Sequence, residues 1–353
     1  MNAANIDQMI NQAIADGVFP GAAISIGDKN GEIYRNFYGF RALEPDKIPM
    51  EANTVFDLAS LTKIVSTTMV ALCFMDVQGL KTDDTLGMFF DAPEDKKDIT
   101  IRQIMTHTSG LPAHAPLYEL CTNPSDVHRT ILEMPLLAPP GTNVVYSCLG
   151  FILLGKICEI VGNAPLDELV RRFVFEPLGL TATVYKPAGD NFAVTEYCET
   201  YGGWLSGVVH DENARFMGGV SGNAGIFADI NDCSIITAMF ANKGKWNGKT
   251  IVSQNIFEQA IQNLTNHCNE GRGLGFAVKG RAPVSCGTIF PEGSYGHTGF
   301  TGTSMWVDAE TSQYVVFLTN RVHPTRDNNL LIPFRGKLHD ACAKAYKDME
   351  DAQ

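Results

Sequence analysis

The sequence predicts an α+β protein in which one antiparallel sheet is built from both ends of the chain and a mostly helical lobe is inserted between them. Three observations carry this. Strand-like runs joined by a tight turn stand near the amino terminus, and others joined by a second turn stand near the carboxyl terminus. Between them the chain breaks into short apolar helical segments separated by Pro and Gly. Parallel βαβ units need long crossovers, whereas tight turns join antiparallel neighbours. At 353 residues and roughly 150 residues per domain, about two lobes are expected. Residues 1–79 with 261–353 form the sheet-containing lobe in this reading. Residues 80–260 form the helical one, with the functional site between the two.

Taken in order, Asn5 to Ala15 carries Ile6, Met9, Ile10 and Ile14 at helical spacing. Gly21 to Gly27 is a short β-like run, and Glu32 to Phe40 alternates as a strand. The turn Asp28-Lys29-Asn30-Gly31 between them contains Asn-Gly, a strong hairpin signal. Met50 to Leu58 reads as loop. From Ser60 the apolar positions Ile64, Leu72 and Met75, with Gly79 beyond, predict a buried helix with a glycine stop. Helical segments follow at Ile99–Met105, Leu149–Val161 and Leu166–Phe175. Strands return at Leu274–Val278, Thr303–Val307 and Tyr314–Asn320, with a turn over Asp308 to Ser312. Gly336 to Asp348 predicts a closing helix.

Composition narrows the function. The chain is 45% hydrophobic and 19% charged, with a formal net charge of −12. That balance repels phosphate backbones and anionic lipid, so neither nucleic acid nor a membrane surface is expected as partner. No apolar run approaches the roughly 20 residues of a membrane span. Nine cysteines lie far apart without CxxC spacing, which suits free thiols in a reducing compartment. The Met1–Asp7 stretch has no basic segment and no apolar core, so no secretory signal is read there and a cytoplasmic location is expected. Oligomeric state is not legible.

Several signatures are absent or fail. No serine lies in GxSxG, and there is no HExxH. Gly271-Arg272-Gly273-Leu274-Gly275 is not GxGxxG, and Gly244 to Thr250 misses P-loop spacing by one position. In His210-Asp211-Glu212, Asp211 is read as the cap of a short helix. His107-Thr108-Ser109-Gly110 is read as a helix-terminating turn.

Three segments carry chemistry. In Ser60-Leu61-Thr62-Lys63 the three-residue spacing puts hydroxyl and amine on one helical face, where a desolvated lysine can accept the serine proton. The helix amino end favours the alkoxide that attack generates. In Tyr146-Ser147-Cys148 a tyrosine at a loop-to-helix junction can serve as general acid or base. In Gly296-His297-Thr298-Gly299-Phe300-Thr301-Gly302 the glycines let a ligand approach the backbone, and a strand-edge amide can polarise a carbonyl. Taken singly, each match is weak, because each has an ordinary structural reading as a cap, a core-edge ring or a turn.

In this order, and with Phe56 to Lys63, His107 to Leu111 and Pro140-Gly141 ahead of Tyr146, the segments resemble the serine penicillin-recognising superfamily. The layout is similar to class C β-lactamases, D-alanyl-D-alanine carboxypeptidases, D-aminopeptidases and family VIII esterases. The resemblance implies a β-lactamase/transpeptidase-like fold. It implies Ser60 as the acylated nucleophile, with Lys63 and Tyr146 sharing proton traffic and the amides of Ser60 and Phe300 forming the oxyanion hole. Thr298 and Gly299, with His297, would face the substrate's carboxylate or carbonyl. The reaction expected is hydrolysis of small esters, amides or β-lactams through an acyl-enzyme, with no metal or organic cofactor. The alternative is a penicillin-fold binding or sensor protein with poor turnover. Two departures stand out. His297 replaces a lysine, so carboxylate binding is expected to weaken above the imidazole pKa near ~6.5. Cys148 replaces an asparagine, and a thiol is a poor donor. The glycine-rich loop Gly218–Gly225 also resembles the family, and is assigned to backbone shape.

Overall fold

The hairpin prediction at the amino end becomes the centre of the molecule. The structure, a computed structural model, describes residues 1, 3–280 and 285–352. Strand Gly21–Asp28 turns over Lys29 and Asn30 into strand Gly31–Ala42. The turn is therefore Lys-Asn rather than Asn-Gly, with Gly31 opening the second strand at φ 129°. Asp28 Oδ1 accepts the Asn30 amide at 2.6 Å, closing the turn.

Seven strands form the main sheet. Their spatial order is Ala277–Val278, Tyr295–Thr298, Ser304–Val307, Tyr314–Thr319, Gly21–Asp28, Gly31–Ala42 and Ile48–Pro49. Every pairing is antiparallel, and the termini meet where Ala22 stands opposite Thr319. Alternate side chains serve different layers. Val315 and Phe317, with Ala22, Ile24 and Ile26, pack on helices Ala4–Ala15 and Leu331–Glu350. Tyr314, Val316 and Leu318 point to the opposite core, shared with the helical segments of the middle of the chain. Both faces are thus covered, as the period-2 geometry of a strand allows.

Boundaries moved more than element types. The expected strand Leu274–Val278 shrinks to Ala277–Val278, because Gly275 takes φ 81° and the Leu274 amide bonds to the Ala260 carbonyl. The helix Ile101–Met105 begins at a capping box, Thr100 with Gln103. Helix Cys148–Gly162 starts at an N-cap Ser147 and ends at Asn163 in the left-handed conformation. Asp211 caps Glu212–Phe216 as expected, its Oδ1 accepting the Ala214 amide at 2.8 Å.

The stretch from Ala59 corrects one expectation. It runs as a 3-10 turn (Ala59–Leu61), a π-helical stretch (Lys63–Thr67) and an α-helix (Thr68–Val77). Together Ala59–Val77 spans 19 residues at mean hydropathy 1.4, so one segment does reach the length and apolarity of a membrane span. The hydroxyl and lysine side chains that interrupt the apolar run in sequence had concealed it. Of that apolar window 78% is buried inside the protein, the placement of a core helix.

Candidate active site

The backbone places Ser60 before any side-chain chemistry begins. Ala59 has φ 46°, a left-handed position that costs a non-glycine residue about 1 kcal/mol or more. Its amide is held by Asp57 Oδ1 at 2.8 Å, while Asp57 Oδ2 accepts the His210 amide at 2.7 Å. Thr301 Oγ donates to the Asp57 carbonyl at 2.7 Å, and Thr303 Oγ to the Leu58 carbonyl at 3.1 Å. The buried Asp57 carboxyl is pushed up by its burial, against the pull of those two amides. These contacts fix the approach to Ser60 from three separate parts of the chain.

Lys63 is fully buried, and its Nζ donates to Ser60 Oγ at 3.0 Å, to the Asn223 carbonyl at 3.1 Å and to Cys148 Sγ at 3.4 Å. Burial disfavours its ammonium, the electrostatic influence of Cys148, Tyr146 and Asp211 with a hydrogen bond to Tyr146 favours it, and the net direction is upward. Desolvation, the condition the sequence reading set for a lysine that accepts the serine proton, is present here but is opposed by these neighbours. A π-helical stretch begins at this residue, a backbone form common at functional sites.

Tyr146 lies between cations. Lys63 Nζ stands 5.0 Å from its ring centre and the Arg272 guanidinium 5.3 Å away. The His107 ring packs on it at 4.5 Å and the His297 ring at 5.7 Å. Cys148 is the first residue of its helix, and its sulfur accepts from Lys63, so it retains an orienting contact with the lysine.

On the strand side, His297 Nδ1 donates to the Thr298 carbonyl at 2.7 Å, leaving Nε2 as a bare lone pair, buried and without a partner. Burial, then Arg272 and Lys63, hold its pKa well below the ordinary range. That direction favours the neutral imidazole and runs against a change in carboxylate binding near the free imidazole pKa of ~6.5. Gly299 is required by close approach: a Cβ there would meet Thr303 Oγ at 2.1 Å and the Leu58 carbonyl oxygen at 2.5 Å. Its own amide is committed to the Thr303 carbonyl at 2.7 Å. The Phe300 ring is 49% exposed, stacked on His210 at 5.6 Å and covered by Arg321 at 4.6 Å.

Ser60, Tyr146, Cys148, His297, Thr298, Gly299 and Phe300 line one cleft of about 1530 Å³, with Lys63 buried directly beneath Ser60. All eight residues singled out in the sequence thus converge.

Four contributors escaped sequence reading: Asp57, His107, Asn223 and Arg272. His107 does end a helical turn, at φ 58°, but its Nδ1 also accepts the Ser147 amide at 3.0 Å beside Tyr146. Asn223 sits in the loop assigned to backbone shape. Gly222 lets that loop press on the helices, since a Cβ there would meet the Phe151 carbonyl oxygen at 2.0 Å. The contact brings the Asn223 carbonyl to Lys63. Arg272 lay in the rejected glycine motif, where only its charge was a signal.

The fold and this cleft define a serine hydrolase built on the β-lactamase/transpeptidase architecture. The model of the Beta-lactamase family matches residues 6–339, and the chain belongs to that family. An Escherichia coli K12 protein described as a candidate D-alanyl-D-alanine carboxypeptidase is 30% identical over 361 residues, covering 90% of this chain and 82% of that one. The N-acetylmuramyl-L-alanine amidase of Bacillus subtilis is 29% identical over 359 residues, covering 90% and 80%. Among solved structures, EstCE1, a hydrolase with promiscuous acyltransferase activity, superposes with a TM-score of 0.77 at 25% identity, over 97% of this chain and 98% of its own.

Proposed function

We propose that Ser60 is the nucleophile of this hydrolase and that small esters or amides are its substrates, with β-lactams as slower acylating agents. The observation that carries this is the buried Lys63 Nζ at 3.0 Å from Ser60 Oγ, under a serine that opens onto the cleft. In the proposed cycle the Lys63–Tyr146 pair takes the Ser60 proton as Oγ attacks the acyl carbon. The groups facing Lys63 favour its ammonium against burial, so the pair exchanges the proton as a unit. One shared proton therefore passes from Ser60 through the pair to the leaving alcohol or amine. The Ser60 and Phe300 amides stabilise the oxyanion, since the Gly299 amide is already bonded. Water then releases the acid by the same route in reverse.

The carboxypeptidase and amidase names of the relatives, with the acyltransferase neighbour, support an acyl substrate of modest size. The net charge of −12 favours a small molecule over nucleic acid or an anionic membrane. Nine free cysteines support a reducing, cytoplasmic setting. The two-lobe division, 1–79 with 261–353 against 80–260, places the cleft at the seam and belongs to the same proposal.

Intact-mass time courses with excess penicillin and with an activated ester test it, beside Ser60→Ala. An adduct that forms on the native chain and not on the variant is expected. An adduct of equal yield on both would remove Ser60 from the role.

A further inference from the structure

A second polar group of residues lies behind the Gly299–Thr303 turn, on the face of the sheet opposite the helical lobe. Ser304 and Trp306 share one face of their strand, and Trp306 packs in the core with Leu338 and Cys342 of the closing helix. Ser304 therefore faces that helix too. From the helix come Arg335 and, one turn on, His339. Arg335 is 7% exposed and His339 is fully buried.

None of these groups is satisfied. Ser304 Oγ, Arg335 Nε and both ring nitrogens of His339 have no hydrogen-bond partner among the described residues. The Arg335 guanidinium has only a long contact, Nη2 to the Thr303 carbonyl at 3.5 Å. Arg321 stands close enough to repel it, and burial with that repulsion pulls Arg335 down to about 10. It still carries its charge at neutral pH.

Nearby acids are engaged elsewhere. Glu196 and Glu212 pair with Arg326, and Asp340 accepts from the Thr288 amide and hydroxyl and the Ile289 amide. Among the described residues no carboxylate pairs with Arg335. A buried, unpaired cation is strongly destabilising, and unmatched buried donors add to it. Burial and Arg335 push His339 down to about 3, so it is neutral and offers one N–H. The set offers a guanidinium edge, a hydroxyl and one imidazole N–H, a donor-rich niche with positive charge. Arg335 also lines the main cleft, together with Leu331, Ile332, Trp306 and Arg321.

We propose that Ser304, Arg335 and His339 form a binding site for a small oxyanion of carboxylate type, entered from the cleft. A guanidinium edge matches two oxygens of one anion, and the hydroxyl and imidazole would hold the remainder. Arg321 ties the niche to the reactive side, since its Nε donates to the Phe300 carbonyl at 2.8 Å. The anion is either the substrate's own carboxylate or a free one. The inference does not depend on Ser60 being the nucleophile.

Thermal unfolding of the full chain in acetate and in phosphate, against chloride at equal ionic strength, reads the free anion. Paired ester substrates, identical except for a terminal carboxylate or its methyl ester, read the bound one. Arg335→Gln, Arg335→Lys and Ser304→Ala are compared with the native chain. Either an anion-dependent rise in Tm that Arg335→Gln loses, or a tenfold or greater fall in kcat/KM confined to the carboxylate substrate, supports the site. The first outcome marks a free anion and the second the substrate. Ser304→Ala removes one unpartnered hydroxyl without disturbing packing, and keeps the test open should Arg335→Gln not fold; the same effect, smaller, is expected there. No anion effect on native Tm together with equal losses on both esters would overturn the proposal and leave the niche to buried water. A carboxylate preference that survives Arg335→Gln and disappears in Arg272→Gln would overturn it as well.

Discussion

The two walls of the cleft are built on opposite plans. On the helical wall, Lys63 spends its donors on Ser60, Asn223 and Cys148, and the turn before it is held by Asp57. On the strand wall, His297 Nε2 is bare and Phe300 is half exposed. The donors of one wall are already engaged, and the other keeps an unpartnered nitrogen and an exposed ring. Proton handling needs fixed distances, so its groups are pre-organised, whereas recognition leaves valences to be filled.

The contrast can be broken most severely at its saturated wall. Lys63→Ala is expected to lower kcat/KM by about 10³-fold, measured with an activated ester, while acylation by a highly reactive phosphonate slows without vanishing. Next comes Gly299→Ala. Its Cβ would sit 2.1 Å from Thr303 Oγ, so a loss of about 1–3 kcal/mol is expected, read as a lower Tm together with reduced kcat.

A pH series sharpens the picture of the strand wall. His107 and His297 are held well below their ordinary pKa, mainly by burial, and His339 is pushed down to about 3. For a histidine depressed in the folded state, stability is complete above the unfolded pKa near ~6.5. It is lost as pH falls toward the folded value, because the unfolded chain takes up the proton first. The expected result is a fall in unfolding free energy as pH drops below ~6.5, approaching about 1.4 kcal/mol per pH unit for each such group until its folded value is reached. His297→Gln should reduce that slope by one proton. KM over pH 5.5–8 should show no inflection from His297.

The smallest effect is expected at Cys148. Its sulfur is a long acceptor at 3.4 Å, backed by the Asn223 carbonyl at 3.1 Å. Cys148→Ser is expected to change kcat/KM by less than about tenfold, the scale of one neutral hydrogen bond. A loss as large as that of Lys63→Ala would mean the thiol takes part in the chemistry itself.

What could be read from the sequence follows the range over which each signal acts. The strands Gly21–Asp28 and Tyr314–Thr319 were legible because alternation is local. Ser60 and Lys63 were legible because three residues of helix set their distance. His107 reads as a turn and as part of the resemblance, but its bond to the Ser147 amide spans 40 residues and leaves no local signal. Asn223 acts through a carbonyl that every residue possesses, so its identity carried no signal. The π-helical stretch at Lys63–Thr67 was equally hidden. It is contacted by residues far along the chain, Thr67 Oγ bonding to the Gly222 carbonyl and Lys63 Nζ to that of Asn223.

The register of Ala22 opposite Thr319 has a consequence for synthesis. A ribosome extrudes the first hairpin when its central neighbour does not yet exist. Strand Gly21–Asp28 leaves the exit tunnel with an unpaired edge and must wait for nearly the whole chain before that edge is covered. The sheet cannot close until Tyr314–Thr319 has left the tunnel, and the contact then carries a long loop-closure cost. A nascent chain stalled before residue 314 should remain protease-sensitive, whereas one that has released residue 319 should protect both strands at once.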